Sequence, residues 1–192
     1  MSLSEKHTIV ALVHDRPGVL SRVCNVVRRR EFNIASLAVG HSETSGLSRM
    51  TIVVEGDYEI AEQVTKQLRK LIDVVSVVDI SEESVVAREL ALVKVKATPY
   101  NRSEIIQIVD IFRANIIDLA PDSLIIEVAG GEDKIGSLLQ LLHPFGVHEV
   151  MRSGRLSIAR GLLAAARSSG TVRGRKKQSA QAPAVERDRT GG

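Results

Sequence analysis

The residues Asp15-Arg16-Pro17-Gly18-Val19-Leu20-Ser21-Arg22-Val23 join an apolar strand pattern to an apolar helix pattern, and their types suit the binding of a small anion. Glycine lets a backbone approach a ligand closely. The first N–H groups of a helix have no partner within it, so such a turn can hold a carboxylate without a charged side chain. The N–H groups from Gly18 to Leu20 are the candidate donors, while Asp15 and the side-chain carbonyl of Asn33 are candidate acceptors for an ammonium group. Val19, Leu20 and Ile34 would form a small apolar wall suited to a branched aliphatic side chain. Carboxylate, ammonium and apolar side chain together describe a free amino acid. Plainer uses compete at each position: Asp15 as a helix cap, Gly18 as the residue of a tight turn, Asn33 as the entry to a strand.

No comparable set supports catalysis. The five histidines, His7, His14, His41, His143 and His148, are scattered, and no Cys/His or Ser/His/Asp arrangement emerges from their spacing. His143 and His148 flank Pro144 and Gly146, so they do not share the i, i+4 helical face that presents two metal ligands together. The single cysteine, Cys24, falls in the apolar helix pattern, where a small core residue is the simpler use. One cysteine allows neither an internal disulfide nor a thiolate metal cage. No cofactor and no metal are expected.

A repeated pattern positions the turn. Ile9 to Val13 reads as a strand, and Val19, Leu20, Val23, Val26 and Val27 recur at helical spacing up to the basic stop Arg28-Arg29-Arg30. Asn33 to Val39 and Leu47 to Val54 read as two strands around a Ser42–Gly46 loop. Ile60, Val64, Leu68 and Leu71 mark a second helix, and Val74 to Ile80 a closing strand, giving the order βαββαβ. The pattern restarts with a strand at Leu90 to Ala97, a helix through Ile105, Ile108, Val109 and Phe112, and strands at Ile116 to Leu119 and Leu124 to Ala129. A helix with Ile135, Leu138, Leu139 and Leu142 follows, then a weaker strand at Val147 to Met151. Asn33-Ile34-Ala35-Ser36-Leu37 matches Asn115-Ile116-Ile117-Asp118-Leu119 at an offset of 82 residues. The expected fold class is α+β, with two ferredoxin-like split βαβ modules joined near Glu82 to Arg88. The limits are 1–81 for an amino-acid-binding domain, 82–164 for a related domain and 165–192 for a disordered tail. At the same offset Gly18 maps onto Tyr100, so the second module is expected to lack the ligand turn.

Composition restricts the class further. The chain has 192 residues, 44% hydrophobic and 26% charged, which suits one domain or two small ones with modest cores. No apolar run approaches the ~18 residues of a membrane span and Met1 to Lys6 lacks a signal-peptide core, which predicts a cytoplasmic protein away from membranes. The pI of about 9.2 invites a nucleic-acid reading, but the basic charge is concentrated at the end of the chain. Arg173, Arg175, Lys176, Lys177, Arg187 and Arg189 face only Glu186 and Asp188 there, an excess of four positive charges in a chain whose total is +3. The RNA recognition fold shares the βαββαβ order, but it stacks bases on aromatics of its third strand. Here that strand reads Leu47-Ser48-Arg49-Met50-Thr51-Ile52-Val53-Val54 and has none, so no specific nucleic-acid binding is expected.

Asp15-Arg16-Pro17-Gly18-Val19-Leu20 followed by Asn33-Ile34 resembles the ACT domain, the amino-acid-sensing module of many biosynthetic enzymes. Further strings are Ser48-Arg49-Met50-Thr51, Glu89-Leu90-Ala91-Leu92-Val93-Lys94-Val95, Ile111-Phe112-Arg113-Ala114-Asn115-Ile116-Ile117-Asp118 and Arg152-Ser153-Gly154-Arg155. Together they resemble the small, regulatory subunit of acetohydroxyacid synthase, also called acetolactate synthase, over about residues 7 to 162. The resemblance implies a non-catalytic subunit that binds the large, thiamine-diphosphate-dependent subunit, raises its activity and makes it sensitive to valine in branched-chain amino acid biosynthesis. It implies a homodimer and a valine site between the ACT domains of two chains, formed by Asp15, Gly18, Val19, Leu20, Asn33 and Ile34. Asp15 stands where asparagine also occurs in such subunits, and the tail beyond about Ala164 exceeds their common pattern. A stand-alone ACT-type sensor of another enzyme is the alternative, with an RNA-binding protein behind it.

Overall fold

The computed structural model describes residues 5–28 and 33–161; the expected tail at 165–192 lies outside the described residues. Strand β1 (Lys6–His14) buries the alternate residues Ile9, Ala11 and Val13, as a period of two requires. Helix α1 (Val19–Arg28) buries Val19, Val23 and Val27, which lie four apart on one helical face. Strands β2 (Asn33–His41) and β3 (Leu47–Glu55) pair as a hairpin. Helix α2 (Tyr58–Leu68) starts at Asp57, whose carboxylate accepts the Ile60 N–H at 2.9 Å. It stops at Leu68, so Leu71 lies beyond the helix, though it still packs on the core. Strand β4 (Val74–Asp79) completes an antiparallel sheet in the order β2-β3-β1-β4.

The second unit repeats the plan with β5 (Val85–Lys96), α3 (Arg102–Ile111), β6 (Asn115–Leu119), β7 (Ser123–Gly130), α4 (Glu132–Leu142) and β8 (Val147–Arg152), ordered β6-β7-β5-β8. Each unit has its own core, one around Ile52 and Leu68, the other around Ile126 and Leu138. The repeat extends to irregularities of the backbone. The ladder of β1 shifts register between Leu12 and Val13, and that of β5 between Lys94 and Val95, at the offset of 82 residues. A bulge between Ile34 and Ser36 in β2 returns between Ile116 and Asp118 in β6. Asn33 donates to Glu55 as Asn115 donates to Glu127, each across its own bulged pair.

The stretch read as a joint is in part a strand. β5 begins at Val85 instead of Leu90, and its first residues pair with an unanticipated strand, β9 (Leu156–Ala159), from Val85 opposite Ala159 to Arg88 opposite Leu156. The cause is long-range pairing: Val85-Val86-Ala87 is too short to announce a strand, and its partner lies some seventy residues away. The β5–β9 ribbon faces the first sheet on the side away from its helices. Val86, Leu156 and Ile158 of the ribbon and Ala38 and Thr51 of the sheet line a cavity of about 320 Å³ between them. Thr51 and Val53 are accordingly 4% and 2% exposed, although they point away from α1 and α2.

Candidate functional site

The turn between β1 and α1 is held at both ends. The His14 N–H donates to Asp73 O at 2.8 Å and the Asp15 N–H to Gly46 O at 2.9 Å, which fixes the chain as it leaves the sheet. The Val19 N–H closes the turn on Arg16 O at 3.3 Å, and Gly18 has φ +84°, in the left-handed region that favours glycine. Among the described residues the N–H groups of Gly18, Leu20 and Ser21 have no acceptor. Arg22 stands beside them: its Nη1 is 3.7 Å from where a Cβ on Gly18 would sit, while its Nε pairs with Asp73 Oδ2 at 2.7 Å. Free N–H groups, the positive end of α1 and a guanidinium therefore converge on one exposed spot.

The other candidate residues divide. Asp15 is exposed, with Oδ2 3.2 Å from His41 Nδ1, and Leu20 is 44% exposed beside the turn. Val19 cannot form the wall expected of it: its side chain is in the first core, where the helical period directs it, and its part is to anchor the start of α1. Asn33 is exposed and donates its Nδ2 to Glu55 Oε2 at 2.6 Å, which leaves Oδ1 as an acceptor; Ile34 packs half-buried on the core.

Asn33 and Ile34 are not near the turn. His14 pairs with Leu47 at one end of β3, whereas Lys6 and Asn33 both pair with Glu55 at the other. Eight strand residues separate the ends, roughly 26 Å at about 3.3 Å per residue. An amino acid is far shorter than that, so within one chain a single ligand cannot touch both groups.

The second module has no such turn. Tyr100, in the place of Gly18, lies outside the positive-φ residues and its side chain is 99% exposed. Asn101 Oδ1 accepts the Thr98 N–H at 2.6 Å, and the Asn101 and Arg102 N–H groups both donate to Thr98 O, a different closure from that of the first turn. Among the described residues no three His, Cys, Asp or Glu side chains group as metal ligands would, and no helix is long and apolar enough to cross a membrane.

Sequence reasoning missed the junction of the modules. Arg152 Nε and Nη2 donate to Glu89 Oε1 and Oε2 at 2.6 and 2.8 Å, and the Arg155 N–H donates to Ser36 Oγ at 2.8 Å across the junction. Lys6 Nζ donates to Glu132 Oε1 at 2.6 Å, joining the start of β1 to the start of α4. The hydrogen bond from Lys6 holds the Glu132 carboxyl below its ordinary range, against a smaller opposing effect of burial. A glycine between arginines after the last anticipated strand was the only local signal of this contact.

An α+β pair of ferredoxin-like modules, the first keeping an open glycine turn, is the architecture of a tandem ACT-type protein. The family model described as AHAS small subunit-like ACT domain matches residues 9–76, and that described as Small subunit of acetolactate synthase matches residues 88–161. A probable acetolactate synthase small subunit of Archaeoglobus fulgidus is 52% identical over 156 residues, covering 81% of this chain and 98% of that one. The acetolactate synthase small subunit of Bacillus subtilis is 45% identical, covering 87% and 98%. The crystal structure of a Thermotoga maritima acetolactate synthase small subunit superimposes with a TM-score of 0.76 at 42% identity, covering 82% of this chain and 98% of that one. The chain belongs to the acetolactate synthase small-subunit family.

Two outcomes follow from this geometry. Gly18→Ala meets only an ordinary contact with Arg22 Nη1 at 3.7 Å but must hold φ +84°, so it should cost about 1–2 kcal/mol in urea unfolding, whereas Gly131→Ala, at φ −73° and in open space, should stay within about 0.5 kcal/mol. Glu132→Gln tests the junction. Because the Glu132 pKa is depressed in the folded state, its contribution is present above the unfolded pKa and is lost as pH falls through the folded one. The variant should be less stable than the parent at neutral pH, by at most about 1 kcal/mol for so exposed a pair, and equal to it in strong acid; urea midpoints across pH measure the difference.

Proposed function

We propose that this chain is the non-catalytic regulatory subunit of an acetolactate synthase. It binds the large, thiamine-diphosphate-dependent catalytic subunit, stimulates it, and imposes feedback inhibition by valine in branched-chain amino acid synthesis. The observation that carries the ligand part is the open turn: three N–H groups without acceptors at the start of α1, with Arg22 beside them, in a module that matches ACT domains. The valine carboxylate takes those N–H groups. Its ammonium takes Asp15 and Asn33 Oδ1, and its side chain rests on Leu20 and Ile34. Val19 holds the helix end in place. The limits 1–81, 82–164 and 165–192, and a cytoplasmic location with the catalytic partner, belong to the same reading.

On this reading, the separation of Asn33 from the turn calls for a site between two chains. β1 and β2 both run antiparallel to β3 and so run in the same direction, and among the described residues β2 is an edge strand of its sheet. Two copies that join these edges antiparallel, as a two-fold axis requires, set the start of β2 in one beside the end of β2 in the other, the end at which the Asp15–Leu20 turn lies. Such a homodimer has two sites, each drawing the turn from one copy and Asn33 and Ile34 from the other.

Reconstitution with the large subunit tests the reading. The chain alone should form no acetolactate, and added to the large subunit it should raise activity and confer valine inhibition. Turnover of pyruvate by the chain alone, or failure to associate with the large subunit, would overturn it. Gly18→Asp and Asn33→Ala should each weaken valine binding in calorimetry at least about tenfold, from the loss of charge-assisted hydrogen bonds of about 1.5–3 kcal/mol, while Asn115→Ala changes little. Gly18→Asp and Asn33→Ala chains mixed to form heterodimers should recover one intact site per dimer. A site within a single chain would recover none.

A further inference from the structure

The segment Arg152–Arg155 is fastened to both modules. On the second, Arg152 grips Glu89 through two hydrogen bonds of 2.6 and 2.8 Å, the Ser153 N–H donates to Leu90 O at 2.9 Å, and the Leu90 N–H donates to Ser153 Oγ at 3.0 Å. A paired, bidentate guanidinium beside two backbone bonds leaves the segment little freedom relative to β5. On the first module, the Arg155 N–H donates to Ser36 Oγ at 2.8 Å. Gly154, at φ +80°, lies so close that a Cβ there would stand 2.7 Å from Ser36 Oγ and 3.3 Å from Leu37 O. The approach therefore needs glycine for both conformation and space.

The point of attachment on the first module is specific. Ser36 is the first residue after the β2 bulge, and Asn33 and Ile34 lie just before it. A bulge leaves one residue, here Ala35, outside the regular ladder, so the strand can change twist there with little loss of pairing. The second tie, Lys6 to Glu132, comes from the same end of the sheet, since Lys6 and Asn33 both lie opposite Glu55. Between the ties is a cavity of about 290 Å³, lined by Ala35, Ser36, Glu89, Glu132, Arg152 and Arg155 among others. The junction is thus two polar fasteners around a void, next to the strand start that carries half of the proposed ligand site.

We propose that Ser36 and the Arg152–Arg155 segment form the coupling joint through which ligand occupancy at the start of β2 is conveyed to the second module. This rests on the valine reading above. Ligand contacts at Asn33 and Ile34 reset the twist of β2 at its bulge, Ser36 shifts with the strand, and the segment carries the shift to Glu89 and Leu90 on β5. A ligand acts on a remote surface only by favouring one arrangement of the elements between, and a packed joint with two hydrogen-bonded ends has discrete arrangements to favour.

Ser36→Ala removes the acceptor for the Arg155 N–H with minimal change in volume, and Gly154→Ala forces the joint apart. In the complex reconstituted with the large subunit, both variants should keep stimulation. Valine Kd on the regulatory protein should stay within about threefold of the parent, while the ratio of activities without and with saturating valine falls toward one. In hydrogen exchange on the parent, valine should change protection of the Arg155 and Leu90 amides, and in Ser36→Ala that change should vanish at Leu90. Full inhibition of Ser36→Ala at saturating valine, with Leu90 still responding, overturns the joint even if Gly154→Ala fails to fold. A parent chain that binds no valine overturns the ligand reading and the joint with it; one that binds valine and is inhibited, with variants that behave alike, overturns the joint alone.

Discussion

A four-stranded sheet with two helices on one side has a second face that must be covered or remain in water, and the rest of this structure is arranged around how that face is closed. In the first module the β5–β9 ribbon lies against it, which is why β3 is buried on both sides along most of its length. The same strand, β5, then runs on as the centre of the second sheet, between β7 and β8. One continuous strand thereby covers the first module and organises the second. The modules are not beads on a linker, and a change in the sheet of one has a direct path to the other.

The two halves share one framework and differ at one turn. Register shifts, bulges and an Asn–Glu pair recur at corresponding places, so the backbone plan is common to both. The difference is concentrated in the turn before the first helix. Gly18 adopts the left-handed conformation at the close of the turn, whereas Tyr100 does not, and Asn101 Oδ1 takes the Thr98 N–H instead. The backbone of this one turn therefore differs between the modules while the strands and helices around it keep the same plan.

The four helices and strands β1 to β8 were readable because each carries its own period, and the glycine turn because its residue types are demanded locally. Strand β9 was not, since Leu156-Ser157-Ile158-Ala159 is four residues long and becomes a strand only by pairing with Val85–Arg88. For the same reason a pairing partner, not composition, turned the supposed joint into the start of β5. The inward course of Val19 follows from the helical period and could have been anticipated. The distance from Asn33 to the turn follows from sheet order and not from the residue types of the site: β1 and β2 run parallel, so their starts share one end.

On the proposed reading, that distance also limits how regulation can work. A site that draws residues from two copies exists only in the dimer, so its ligand strengthens the dimer, by about 2.7 kcal/mol per site at a hundred times Kd. Valine then cannot inhibit by loosening the paired β2 edges, because its own binding opposes their separation. The change felt by a catalytic partner has to arise elsewhere, in an element that touches the ligand-bearing strand but is free to move while the dimer edge tightens. Asn33 and Ile34 open the strand that forms the edge, and Ser36, two residues on, is where the second module is fastened to it. A tighter edge and a displaced second module are therefore two results of the same adjustment in β2.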